Sequence, residues 1–165
     1  MEHASLPNLS VRGIVPSDAA SYRSILERTS AEDRYCRFFC VVNELRDDFI
    51  EPYVAQRPDS IGLIAEEAGR PLGAAHAFFE DSERAEMAIV VAADARRRGV
   101  GRSLIDRLVL SLQDRGCKSA IAYALRDNLP FANLGRSVGM RAERFDGGVV
   151  MWSLDATKRD FHVKP

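Results

Sequence analysis

Six consecutive residues, Arg96-Arg97-Arg98-Gly99-Val100-Gly101, combine three cations with two glycines in an order that suits an anion. They lie between an apolar run, Ala85–Ala92, and a long amphipathic stretch from Gly101 to Arg115. A helix that begins there leaves several backbone N–H groups without intrahelical acceptors, and its macrodipole adds partial positive charge. Gly99 and Gly101 carry no Cβ, so an anion can approach that backbone closely. The arginines add charge-assisted hydrogen bonds. A diphosphate is the natural guest.

Two other nucleotide-binding loops are excluded. A P-loop requires GxxxxGK[ST], and no Lys follows these glycines. The dinucleotide fingerprint requires GxGxxG, and Gly99-Val100-Gly101-Arg102-Ser103-Leu104 ends on Leu. The ordinary alternative is a solvated arginine cluster ahead of an unremarkable helix. The surrounding elements decide between the two.

Those elements are legible from periodicity. Leu9–Val15 predicts a short strand, and Pro16-Ser17-Asp18 a turn and cap before a helix from Ala19 to Arg28. Ser30-Ala31-Glu32-Asp33 is a capping signature for a second helical stretch through Phe39, and Asn43–Gln56 reads as a third. Strands follow at Ile61–Ala65, Leu72–Glu80 and Ala85–Ala92, the last with Met87, Ile89 and Val91 on one face and Glu86, Ala88 and Val90 on the other. Gly101–Arg115 is the clearest helix, with Leu104, Ile105, Leu108, Val109 and Leu112 in one stripe. Ser119–Leu125 predicts a strand and Asn128–Val138 a helix. Met140–Phe145, a turn at Asp146-Gly147-Gly148, and Val149–Leu154 form a last hairpin. This order predicts an α/β chain with a mixed sheet and helices on both faces.

Composition bounds the function. The 165 residues suit one domain over 1–165, with a core from about 9 to 155 and short tails. Lys plus Arg numbers 23 and Asp plus Glu 24, a balance that argues against general nucleic-acid binding. Cys36, Cys40 and Cys117 form no CxxC pair, so they read as buried thiols with no metal or disulfide framework. The N-terminus lacks a leader-like apolar region and the apolar runs are too short to span a bilayer. A reducing cytoplasm is the expected compartment, with no membrane partner.

The loop in this setting resembles the [Q/R]-x-x-G-x-[G/A] motif of the GNAT N-acetyltransferase superfamily. The resemblance runs from about Ile61 to Phe145 and includes Val138-Gly139-Met140. It implies a single GNAT-like domain with a mixed, mostly antiparallel sheet of six to seven strands. It also implies acetyl-CoA as acyl-donor cosubstrate and no metal. Arg96, Arg97, Arg98, Gly99, Val100, Gly101 and Arg102 would cradle its pyrophosphate. Ile89, Val90 and Val91 would offer backbone groups to pantetheine, and Asn128 would face the cofactor. Upstream, the segment from Ser30 to Phe39 is similar to the GNAT domain of bacterial protein-lysine acetyltransferases. Its ordinary alternative is a helix packing Tyr35, Phe38 and Phe39.

The implied reaction moves an acetyl group to a primary amine by direct attack through a tetrahedral intermediate. A lysine-like amine has a pKa near ~10.4, so supplying its neutral form at pH 7 costs on the order of 4–5 kcal/mol. A positioned base offsets part of that, and a backbone N–H of the splayed strand would meet the oxyanion. Glu86 matches the family's usual base position; its ordinary alternative is a cross-strand ion pair with His76 or an Arg. One departure stands out. Relatives often carry a Tyr seven residues after the Asn, as acid toward the thiolate, and that position here is Gly135. Water, Tyr123 or Ser137 are the substitutes at hand. The leading expectation is an N-acetyltransferase acting on a primary amine, a protein lysine among the candidates, as monomer or homodimer. An acyl-CoA-binding sensor without turnover is the alternative. A polyanion contact in an interaction protein is a third, which the charge balance disfavours.

Overall fold

The computed structural model describes residues 8–143 and 147–158. Its sheet has seven strands: β1 (Leu9–Gly13), β2 (Ser60–Glu67), β3 (Arg70–Phe79), β4 (Arg84–Val91), β5 (Ser119–Leu125), β6 (Arg141–Glu143) and β7 (Val149–Asp155). Their order across the sheet is β1-β2-β3-β4-β5-β7-β6. Every neighbouring pair is antiparallel except β4 and β5, which run parallel. A parallel pair needs a crossover, and α4 (Val100–Asp114) supplies it. The expected last hairpin forms from β6 and β7; Phe145 and Asp146 lie outside the described residues.

Helices cover both faces. α1 (Ala19–Glu27), α2 (Ala31–Phe38) and α3 (Asp47–Val54) precede β2, and α5 (Leu129–Ser137) follows β5. Alternation along β3 sorts them. The hydrogens of Gly73 point toward Leu104 and Val100 of α4. His76, one face over, meets the rings of Tyr22 in α1 and Tyr53 in α3. Leu104, Ile105, Leu108, Val109 and Leu112 of α4 are all buried, as their spacing predicts. Each such side chain contributes roughly 1.5–3 kcal/mol by leaving water.

Two boundaries differ from the sequence reading for physical reasons. Helical structure after Asn43 begins only at Asp47. The carbonyls of Val42 and Leu45 instead accept hydrogen bonds from Arg34 Nε and Arg23 Nε, 3.3 and 2.9 Å away. Asp18 does not cap α1 with its side chain. Its carboxylate accepts from Val15 N–H at 2.8 Å and from both Arg12 Nη atoms at 2.8 Å. The Arg12 contact, with the Val15 bond, holds that carboxyl below the usual range.

The cysteines also depart from expectation. Cys117 is buried, Cys36 is half-buried and Cys40 is exposed, because α2 stops at Phe38 and Phe39 turns left-handed at φ 55°. Helical spacing therefore does not carry Cys40 onto the face that holds Cys36.

Candidate functional site

The loop before α4 has a backbone made for an anion. Gly99 caps α4 with φ 83°, in the left-handed region that favours glycine, and Arg97 adopts φ 58°. No side chain caps the helix, so its first N–H groups have no side-chain acceptor. The missing Cβ of Gly101 has a second consequence: a Cβ there would lie 3.0 Å from Leu134 Cδ2. Glycine at 101 therefore also lets α4 and α5 approach.

The arginines divide into different jobs. Arg98 pairs with Glu67 at 2.7 Å and does not line the cleft described below. Arg96 pairs with Asp33 of α2 at 2.8 Å. Burial works against the Asp33 charge, yet bonds from Arg96 and Ser30 outweigh it and lower its pKa. The expected capping box is present: Ser30 Oγ accepts from Asp33 N–H and Ser30 N–H donates to Asp33, each at 3.0 Å. Arg102 donates to the Ser137 carbonyl at 3.1 Å. Arg97 makes no hydrogen bond or ion pair among the described residues, so its donors are free.

β4 and β5 open in front of this loop. They pair only at Arg84↔Ser119, Ala85↔Ala120 and Glu86↔Ile121, then diverge. From Met87 to Val91, β4 keeps its β3 partner but has no strand on its other edge. Burial departs from simple alternation there, since Ala88 and Ile89 are both half-buried while Val90 is buried. The gap is a cleft of about 620 Å³. It runs past Met87, Ala88, Ile89, Val90 and Val91 to Arg96, Arg97, Gly99, Val100, Gly101 and Arg102, with Asn128 opposite. An open edge of peptide groups leading to an uncapped helix N-terminus suits a ligand with amides at one end and a diphosphate at the other.

Asn128 and its helix form the facing wall. Asn128 Oδ1 accepts from Phe131 N–H at 3.1 Å and so caps α5. Gly135 does not face the cleft. A Cβ there would meet Trp152 Cε3 at 3.1 Å, beneath the helix. A Tyr at this position would first have to displace the indole. Of the substitutes considered, Tyr123 lines the cleft, while Ser137 Oγ lines it but donates to the Leu134 carbonyl at 2.7 Å.

Glu86 sits at the last paired step of β4, half-buried. Burial, then the charge of Glu80, raises its pKa, and Arg37 opposes them. Its cross-strand partner is Phe78; His76 pairs instead with Ala88. Among the described residues no cation lies within ion-pair distance of Glu86, so the ordinary alternative, a cross-strand ion pair, is not formed there. His76 is buried, and burial followed by the charge of Arg37 lowers its pKa to about 3. Its Nε2 lies 2.8 Å from the Tyr53 carbonyl, which assigns the proton to Nε2.

Sequence reasoning missed the α2 contribution. Asp33, Cys36 and Arg37 line the cleft, and Arg37 stacks over Phe38 and Tyr53 at 4.8 and 5.4 Å. The helix was legible, but its amphipathic spacing does not say that its polar side borders a cleft. Phe131 and Leu134, read as an apolar face of α5, also line it.

Comparison with known proteins agrees with this geometry. Residues 24–139 match the model of the acetyltransferase (GNAT) family. The GNAT domain of S. lividans PAT is 25% identical, with a TM-score of 0.82 over 88% of this chain and 89% of that one. The protein yncA from Salmonella typhimurium, solved with its cofactor acetyl-CoA, is 20% identical, with a TM-score of 0.69 over 96% and 98%. Spermidine N-acetyltransferase from Vibrio cholerae, solved with CoA and spermine, is 16% identical, with a TM-score of 0.72 over 92% and 97%. The last two likenesses bear on the fold alone. The family match spans well over half of the sequence, and the chain belongs to the acetyltransferase (GNAT) family.

Proposed function

We propose that this protein transfers an acetyl group from acetyl-CoA to a primary amine. The observation that carries this reading is the divergence of β4 from β5 after Glu86, opening onto the uncapped start of α4. In this reading the N–H groups of Val100, Gly101 and Arg102 and the free Arg97 hold the pyrophosphate, and Arg96 is shared with Asp33. Arg98 contributes through its ion pair with Glu67, which braces the loop. Peptide groups of Ile89, Val90 and Val91 take the pantetheine amides. An unpaired β4 N–H near Met87 and Ala88 stabilises the oxyanion.

Glu86 is the general base, directly or through one water. Its raised pKa supports this, because a stronger base takes an ammonium proton more readily. A protein lysine is one candidate acceptor, drawn from the similarity of the segment from Ser30 to Phe39 to the GNAT domain of bacterial protein-lysine acetyltransferases. A small-molecule amine is the second candidate class; the V. cholerae enzyme, which shares the fold, was solved with CoA and spermine.

Titration calorimetry with acetyl-CoA and CoA tests the cleft; no binding at high micromolar ligand would refute the reading. Thiol release over pooled amines and lysine peptides tests turnover. A second reading, a CoA-binding sensor without turnover, draws on Gly135, which places no acid in the cleft. Tight binding without thiol release from any amine would favour it.

A further inference from the structure

The α1–α3 face of the sheet holds a group of polar atoms that the cofactor wall does not use. Tyr22 Oη, His76 Nδ1 and two nitrogens of Arg37, Nε and Nη2, are all buried without a hydrogen-bond partner. The rings concerned are close neighbours: Tyr22 lies 5.5 Å from His76 and 5.6 Å from Tyr53. Tyr53 lies 5.5 Å from His76, and Phe78 stacks on His76 at 6.0 Å. Phe78 is in turn the cross-strand partner of Glu86. Strand alternation puts His76, Phe78, Glu86 and Ala88 on this one face. Arg37 reaches it from α2, where it also lines the cleft.

A guanidinium stays protonated at any working pH, so Arg37 is a permanent cation in an aromatic setting. Among the described residues no carboxylate answers its charge, since none forms an ion pair to it within 4 Å. The neighbouring groups cannot supply a charge. His76 remains neutral, and burial takes the Tyr22 hydroxyl up to about 12. The groups that face Glu86 are therefore few. Glu80 approaches from the β3–β4 turn, Arg84 on the same strand is tied to Glu80, and Phe78 and Ile121 on the flanking strands are apolar. Tyr123 lies two residues further along β5. The charge of Arg37 opposes the effects of burial and Glu80 at Glu86.

We infer that Arg37 is a positioning residue for proton transfer: held over Phe38 and Tyr53 on the sheet face that carries Glu86, its fixed charge keeps the Glu86 carboxylate ionised beside the acceptor amine. This rests on the reading of Glu86 as base. In the step concerned, an N–H bond of the acceptor ammonium breaks and the proton passes to a Glu86 oxygen, directly or through water. The amine nitrogen keeps the electron pair and attacks. Glu86 becomes a neutral acid, Arg37 is left as an uncompensated cation, and its field returns the proton to solvent. Burial and Glu80 make the carboxylate basic, and Arg37 stops them from protonating it before the acceptor arrives.

The test is the pH dependence of kcat/KM for the amine at saturating acetyl-CoA, measured on the full chain. Arg37→Met should move the acid limb up by about one pH unit, the low end of what an opposite charge does to a nearby carboxyl. Below the limb that is roughly a tenfold loss. Arg37→Lys should restore the limb to near its original place. Arg37→Gln gives the same information if the Met variant fails to fold. An unmoved limb, or a Lys variant displaced as far as Met, overturns the inference. Glu86→Gln separates the two levels. If it leaves the limb in place, the base reading fails and this inference with it. If it removes the limb while Arg37→Met leaves it alone, only the role of Arg37 is lost.

Discussion

The β4–α4 wall of the cleft and the aromatic wall behind α2 are built in different ways. The β4–α4 wall is a contiguous piece of chain: a strand, a left-handed turn at Gly99 and a helix start. In the proposed reading its binding groups are backbone atoms. The aromatic wall assembles α1, α2, α3 and β3 around Tyr22, Tyr53 and His76, and it reaches the cleft through Arg37 of α2. Its properties come from a charge held in a dry, aromatic setting. One wall is set by local conformation and the other by tertiary electrostatics.

That contrast can be broken by experiment. The largest effect is expected on the electrostatic side, from acid. His76 has a folded pKa near 3, below its ordinary value of 6.5. The unfolded chain takes up a proton below about pH 6.5 and the folded chain only near pH 3. Stability from this group is therefore complete above pH 6.5 and lost as pH falls toward 3, by on the order of 5 kcal/mol. Thermal melts from pH 7.5 to 4 should show His76→Gln losing less stability per pH unit than the wild type. Parallel curves would place the acid sensitivity elsewhere.

Glu86→Gln comes next. It should lower kcat/KM about a hundredfold while acetyl-CoA binds with unchanged affinity. A matching loss of cofactor affinity in calorimetry would mean that the walls are not independent. Gly135→Tyr asks whether the missing acid can be restored. Overpacking against Trp152 should cost about 2 kcal/mol, seen as a melting temperature several degrees lower, with no gain in kcat. A faster enzyme would show that the new ring reaches the thioester.

The smallest effect separates neighbours on the backbone-built wall. Arg97→Ala, which removes free donors, should weaken acetyl-CoA binding about tenfold, whereas Arg98→Ala should change it less than about threefold. The reverse order would mean that Arg98 leaves Glu67 for the ligand.

Legibility in the sequence followed the same division. Elements with strong periodicity, α4 and β5 above all, lie within a residue of where the pattern puts them. The Ser30 capping box was readable because capping depends on residues three apart. The non-helical segment before Asp47 was not, since the carbonyls of Val42 and Leu45 are claimed by arginines from α2 and α1. Glu86 was found through resemblance, yet its partners were misjudged. The register places Phe78 directly across from it and His76 across from Ala88, two residues along on the same face.

The loop from Arg96 to Gly101 shows where the limit falls. Its glycines and its place before an amphipathic helix point from sequence alone to the proposed anion site, because left-handed turns and uncapped N–H groups are local properties. Which arginine is free was decided by Glu67 and Asp33, thirty-one and sixty-three residues away along the chain. The environment of Glu86 was likewise decided by a helix that joins it only in the fold. Charges act through space, and only the tertiary structure sets which of them are near.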